Sequence, residues 1–258
     1  MGYYVFFLGG QDLEMLTIRK LLGNSGQKFY DKQLKWGAKA STYTEEIQWV
    51  SESSGGGVPV LVELEVDIKL PESAIVVDHH NDRSGEEASI LQVVRMLGYA
   101  PSRQQILVAA NDSGYIPAML GMNASLEEIA DIRRRDREAQ GVTEEMERQA
   151  EEAISNYREA RGVIIVHLPH NKFSTVTDRL FPQWDDGREN LVVVCDTDGI
   201  DNEVYHFGRG DICRDIKEKW NGFGGGQGFG DRTKNSFAGC KTRTPVDVVN
   251  FVVTQQVS

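Results

Sequence analysis

Val76-Val77-Asp78-His79-His80-Asn81-Asp82 sets an acid and two imidazoles directly after a short apolar run, Ala74 to Val77. Polar groups at the end of a buried strand are expensive to hold without partners. A neutral imidazole suits Mn²⁺, Fe²⁺ or Zn²⁺, and carboxylates suit harder ions, so a mixed His and Asp set points to a transition metal such as Mn²⁺. A His-His pair has little specificity by itself, and a structural role fits it at least as well. The surrounding pattern decides between them.

Working outward, apolar runs at Tyr3 to Leu8, Val58 to Val66, Ala74 to Val77 and Gln105 to Ala110 read as strands separated by helical segments. That alternation predicts an α/β fold with a mainly parallel sheet and flanking helices. Gly9-Gly10 closes the first run, and Leu13, Leu16, Ile18, Leu21 and Leu22 form an apolar stripe ended by Gly23. A further helix is expected from Glu86 to Leu97, closed by Gly98. Side chains at the strand ends then line the crevice in which open α/β sheets bind ligands.

Three other acidic positions fall at such ends. Asp12 and Glu14 form an acid-x-acid pair at the first strand-to-helix turn, where a helix N-terminus favours negative charge whatever its function. Glu63 and Glu65 lie in Val60-Leu61-Val62-Glu63-Leu64-Glu65-Val66-Asp67, an alternation that also describes a half-exposed strand. Asp112 lies in Asn111-Asp112-Ser113-Gly114, a common turn sequence. Each is weak alone; together they bring four acids and a histidine pair to one sheet edge, as a two-metal phosphoester site requires.

From Ser125 to Arg161 the composition shifts to Glu, Arg, Ala and Gln, with helix starts at Ser125-Leu126-Glu127-Glu128 and Thr143-Glu144-Glu145-Met146. The expected organisation is a metal-binding α/β domain over 1–124, a charged helical linker over 125–161 and a smaller C-terminal α/β domain over 162–258. Arg133-Arg134-Arg135 reads as a solvated helix face in preference to a phosphate contact. Strand signals resume at Gly162 to His167, Leu191 to Cys195 and Val204 to Phe207, before a helix from Arg209 to Trp220 and a glycine cluster from Gly222 to Gly230.

Composition narrows the function classes. The net charge of −11 disfavours long DNA and favours short nucleotides or small phosphate compounds. No apolar run reaches the roughly 20 residues of a membrane helix, and the start of the chain lacks a basic n-region, so a cytoplasmic location is expected. Cys195, Cys213 and Cys240 are odd in number and widely spaced, which fits reduced packing residues.

The order acid-x-acid, strand-end acid, Asp-His-His and Asp-x-Gly, followed by a second lobe with a glycine-rich loop, resembles the DHH phosphoesterase superfamily with a DHHA1-type C-terminal domain. The resemblance implies Mn²⁺ or Mg²⁺, one or two ions, held by Asp12, Glu14, Glu63, His79 and Asp112, with Glu65 or Asp67 as alternatives to Glu63. Asp78, His79 and His80 take the catalytic positions. Gly224, Gly225, Gly226 and Gln227, with Arg209 and further help from Arg232 or Lys234, take the substrate-binding ones. The implied activity is hydrolysis of a phosphodiester or phosphomonoester of a short oligonucleotide or small nucleotide. The sequence departs from the family at Gly9-Gly10-Gln11, where a histidine is missing, and at Gln227, where a histidine normally stands. Those departures keep open a catalytically weak or inactive nucleotide- or metal-binding protein of the same fold. A single-strand nuclease, with Trp184, Tyr205, Phe223 and Phe229 for stacking, stands behind both. An antiparallel homodimer through the charged helices is also open.

Overall fold

The computed structural model describes residues 3–35, 37–52, 56–83, 85–181, 190–197 and 199–256. The chain divides into two compact units, Met1–Gly141 and Val142–Ser258.

The first unit runs β1 (Tyr4–Leu8), α1 (Leu13–Asn24), β2 (Lys28–Asp31), α2 (Thr44–Glu52), β3 (Val58–Val62), β4 (Ile75–Val77), α3 (Ser89–Met96), α4 (Arg103–Gly121) and α5 (Leu126–Ala139). Its sheet has the order β2-β1-β3-β4 and every pair is parallel. Both faces are covered, which is why the strands read as nearly continuous apolar runs. On one face Phe6, Leu8, Val60, Val62 and Val77 pack with Met15 and Ile18 of α1 and Ile90 and Val93 of α3. On the other, Val5, Phe7 and Leu61 pack with Tyr43, Ile47 and Val50.

Several sequence expectations change here: the Val58 to Val66 run is a strand only to Val62, and the helix expected from Glu86 starts at Ser89. Gln105 to Ala110 is not a strand but the opening of α4. Ser102 and Gln105 form a reciprocal capping box, Ser102 N donating to Gln105 Oε1 at 2.8 Å and Gln105 N to Ser102 Oγ at 3.3 Å. A short apolar run bears no period, so the cap and the 19-residue length decide it. In addition, Gly23 lies inside α1, which continues to Asn24 and is capped by Ser25.

The second unit comprises α6 (Glu144–Ser155), β5 (Arg158–Ala160), β6 (Val163–Leu168), α7 (Ser174–Leu180), β7 (Leu191–Cys195), β8 (Asn202–Arg209), α8 (Gly210–Lys219), β9 (Phe223–Gly225), β10 (Asn235–Thr242) and α9 (Pro245–Gln255). Its sheet has the order β5-β6-β7-β8-β10-β9, parallel between β6 and β7 and antiparallel elsewhere. Val163, Val192, Val204 and Ala238 pack with Ile212 and Ile216 of α8 and Val248 and Val252 of α9. Val166, Leu168 and Val193 face Ala150 and Val176 on the opposite side. The three cysteines are free and buried.

Of the two charged helices, α5 belongs to the first unit and α6 to the second. Arg133 corrects the solvated-face reading: it is buried, whereas Arg134 pairs at the surface with Asp131 and Glu138. Among the described residues no helix is long and apolar enough to cross a membrane.

Candidate metal centre

Four side chains from separate elements meet beyond the carboxyl ends of β1, β3 and β4. Glu14 comes from the first turn of α1, Glu63 from the residue after β3, His79 from the loop after β4, and Asp112 from α4. His79 Nε2 lies 2.6 Å from Asp112 Oδ2, 3.6 Å from Glu63 Oε1 and 3.7 Å from Glu14 Oε2. All four are largely withdrawn from solvent, with side-chain exposures of 7% for His79, 0% for Glu14, 9% for Glu63 and 18% for Asp112.

The backbone explains how they converge. Glu63 continues the ladder through its N–H to Val77 O at 2.9 Å, then turns away at φ +51°. A non-glycine residue in that region is uncommon and stores local strain. Gly9 donates to Val62 O at 2.8 Å, and a Cβ on Gly9 would fall 2.1 Å from Glu63 O. The glycine pair therefore has a structural reason: Gly9 lets β1 end against the Glu63 backbone, and Gly10 turns at φ +48°. Asp112 stands just before a break in α4, where Gly114 and Tyr115 leave helical geometry.

Chemically the cluster is short of positive charge. Glu14 Oε1 accepts from Ile90 N at 3.0 Å, but Glu14 Oε2, Glu63 Oε1, His79 Nε2 and Asp112 Oδ2 are all buried and make no hydrogen bond outside the cluster, three carboxylate oxygens sharing one imidazole nitrogen. Burial pushes the Glu14 carboxyl well above the usual carboxylate range. Burial works against charging His79, yet Asp112, Glu14 and Glu63 outweigh it and raise the imidazole to about 12. Buried polar atoms aimed at one point with only one another for partners are rare and call for an explanation. A carboxylate-rich set with one imidazole suits a divalent ion such as Mn²⁺. The residues present therefore fit the ion that the sequence implies.

Asp12 is the N-cap of α1, its Oδ1 accepting from Met15 N at 2.8 Å. Burial raises it to about 7 against that hydrogen bond, and Glu63, Asp112 and Asp136 add to the rise. An atom at the Gly10 Cβ position would lie 3.6 Å from Glu63 Oε2 and 3.8 Å from Asp12 Oδ2, so the Asp12 carboxylate borders the same space. Asp78 Oδ1 accepts from His80 N at 2.9 Å and lies 3.0 Å from His80 Nδ1. A ring nitrogen of His80 lies within 4.8 Å of side-chain nitrogen or oxygen atoms of Glu63, His79 and Asp112, and a cleft of about 520 Å³ opens along Gly10, Glu63, Asp78 and His80. Glu65 is exposed opposite Lys39, and Asp67 binds Ser41, so of the three second-motif candidates only Glu63 reaches His79.

In the second unit, Gly224 and Gly225 sit in β9, paired with Ala238 and Phe237 of β10. A Cβ at Gly224 would meet the Phe229 ring at 2.6 Å, so its glycine serves close packing. Gly226 turns the chain at φ +102° and Gln227 follows. Arg209 forms a fork with Asp211, at 3.1 and 2.6 Å, and donates to Gln255 O at 3.0 Å. Lys234 lies 3.8 Å from Asp231. Among the aromatic candidates Tyr205 is buried and Phe223 half exposed, while Trp184 lies outside the described residues.

Sequence reasoning missed a buried group behind the centre. Arg133 and Asp136 of α5 and Asn111 of α4 are joined by hydrogen bonds of 2.7 and 2.8 Å. The i,i+3 spacing of Arg133 and Asp136 was the only signal available for it.

No family model and no curated protein matches the sequence. Solved structures with a similar chain path include the pGpG-specific phosphodiesterase PggH from Vibrio cholerae, at 13% identity and TM-score 0.48 over 99% of each chain. An exopolyphosphatase-related protein from Bacteroides fragilis is similar at 13% identity and TM-score 0.44, over 98% of this chain and 92% of that one. RecJ from Thermus thermophilus, in complex with Mn²⁺, is similar at 9% identity and TM-score 0.44, over 99% of this chain and 52% of its own.

Proposed function

We propose that the chain is a metal-dependent phosphoesterase of the DHH type, acting on a phosphodiester or phosphomonoester of a short oligonucleotide or small nucleotide. One observation carries the reading: Glu14 Oε2, Glu63 Oε1, His79 Nε2 and Asp112 Oδ2 are buried, gathered at the strand-end edge of a parallel sheet, and have only one another for partners. These four, with Asp12, would hold one or two Mn²⁺ or Mg²⁺ ions. When bound, such an ion polarises a phosphoryl oxygen and lowers the pKa of its water to give a hydroxide near neutral pH.

The chain's own residues do the rest. Asp78 orients His80 through two contacts to one carboxylate oxygen, which leaves the His80 Nε2 atom for a phosphate oxygen in the cleft. Burial of Glu14 and His79 keeps bulk water from the reacting centre, where electrostatic interactions strengthen. In the second unit we assign substrate contacts to Gly226 and Gln227, which leave the strand. Gly224 and Gly225, paired with β10, form the strand that leads into the turn, and Arg209, forked with Asp211, is the further contact assigned to substrate. The acidic charge supports a short nucleotide over long DNA as the partner.

A second reading is a sensor that binds the ion and a nucleotide without turnover. It is favoured by Gly9, whose place admits no side chain and so no histidine. Incubating the protein with Mn²⁺ and a panel of di- to pentanucleotides, cyclic dinucleotides and pAp, beside His79→Ala and Asp112→Asn, separates the two. Turnover that disappears in both variants supports the enzyme; nucleotide and Mn²⁺ binding without turnover supports the sensor.

A further inference from the structure

Arg133 and Asp136 form an ion pair of 2.7 Å that is almost wholly withdrawn from water, at 7% and 5% exposure. Taking two charges out of solvent is unfavourable unless their remaining donors and acceptors are well used. Their partners are informative, because they come from the two segments that carry the site's acids. Arg133 Nη1 also donates to Asn111 Oδ1 at 2.8 Å, one residue before Asp112. The same guanidinium lies 4.5 Å from the centroid of the Tyr115 ring, three residues after Asp112. Tyr115 has φ 58° and ψ −149°, a region that residues with a side chain rarely occupy, at the break in α4. On the other side, Asp136 Oδ1 accepts from Leu13 N at 3.3 Å, the residue between Asp12 and Glu14. Asp136 Oδ2 also accepts from Gln140 Nε2 at 3.1 Å.

One pair on α5 thus ties the broken helix that presents Asp112 to the helix start that presents Asp12 and Glu14. We propose that Arg133 and Asp136 are positioning residues of the metal centre, fixing the separation between these two ligand-bearing segments. They act through Asn111, Tyr115 and Leu13 and not as ligands. The inference rests on the reading of the centre as a metal site. Partners behind metal ligands set their orientation, and losing one typically lowers metal affinity about 10- to 100-fold.

The test uses the full chain and Mn²⁺ alone, with affinity read by titration calorimetry and the bound ion by its electron paramagnetic resonance spectrum. Arg133→Lys keeps a charge opposite Asp136 and so favours folding, but an ammonium cannot serve Asp136, Asn111 and the Tyr115 ring together. Its Mn²⁺ Kd is expected to rise about 10- to 100-fold, with a changed spectrum. Ile129→Val, buried on the same helix, and the surface change Arg134→Ala are expected to leave the Kd within twofold, even where Ile129→Val lowers the melting temperature. A folded Arg133→Lys that binds Mn²⁺ like the wild type overturns the positioning role while leaving the metal site standing. If Arg133→Lys does not fold, Asn111→Ala, which removes the acceptor beside Asp112, is judged by the same two outcomes. A wild type that takes up no Mn²⁺ overturns the metal reading and this one with it.

Discussion

His79 Nε2 approaches Asp112 Oδ2 to 2.6 Å, joining the loop after β4 to the point at which α4 breaks. Without a metal ion, the imidazolium is the positive charge that these acids gather around. Its pKa is held up to about 12 because Asp112, Glu14 and Glu63 outweigh the effect of burial. A metal ion must then displace that proton, since the ligating imidazole is neutral. Mn²⁺ binding at pH 7 is expected to release at least one proton per ion and to tighten as pH rises. Calorimetry in buffers of different ionisation enthalpy reads the proton count, and a count of zero would refute this account of His79.

Glu14 offers a test in which stability and binding move in opposite directions. Its carboxyl is raised by burial above its unfolded value, so its contribution to stability is fully present below the unfolded pKa near 4.5 and is lost as pH rises through the folded one. Glu14→Gln keeps the acceptor for Ile90 N and removes the charge. At pH 7 without metal the variant is expected to melt at or above the wild-type temperature. With Mn²⁺ at 100 times the wild-type Kd, the wild type gains about 2.7 kcal/mol, and the variant gains little of it. Thermal melts with and without Mn²⁺ check both halves; equal metal stabilisation of the two proteins counts against Glu14 as a ligand.

Asp12 combines a cap with a proposed ligand, and two substitutions separate the roles. Asp12→Asn retains the acceptor for Met15 N and sheds the charge that burial disfavours, so stability without metal is expected to hold or rise, whereas Asp12→Ala also loses the cap, worth about 1 kcal/mol, and is expected to be the less stable of the two. Both are expected to weaken Mn²⁺ binding. Urea melts paired with Mn²⁺ titrations decide it: an Asn variant that binds the ion as the wild type does would leave Asp12 as a cap alone.

In the second unit, burial draws His206 down to about 4, with Nδ1 3.2 Å from Leu191 O. The folded chain holds this ring neutral, while the unfolded chain takes up a proton below its ordinary value near 6.5. The contribution is intact above pH 6.5 and is lost as pH falls toward 4, by roughly 3 kcal/mol. His206→Leu is expected to flatten the urea-midpoint profile between pH 6.5 and 4, whatever its effect at pH 7. An unchanged slope would show that other groups govern acid unfolding.

The strand-end Asp-His-His was legible because the apolar run stops at Val77 and polar residues follow at once. Glu63 was legible as one of three acids, and only the left-handed turn after β3 singles it out, which no propensity shows. Asp112 follows an apolar run with the look of a strand, yet it stands in a helix that the Ser102 and Gln105 cap announces. The burial of Arg133 is hidden in the sequence because a charge run shows only its own helix. Its partners Asn111 and Tyr115 come from another one, and a single sequence carries no record of that contact. The glycine cluster, read as a binding loop, is in part a strand, since Gly224 was chosen by the packing of Phe229.

Equilibrium Mn²⁺ binding decides whether Glu14, Glu63, His79 and Asp112 converge on a divalent ion. The wild type is expected to take up one or two ions saturably, and His79→Ala and Asp112→Asn, both still folded, to lose that uptake. A wild type that takes up no Mn²⁺ or Mg²⁺, or variants that bind as well as it does, would mean that the four side chains hold no ion.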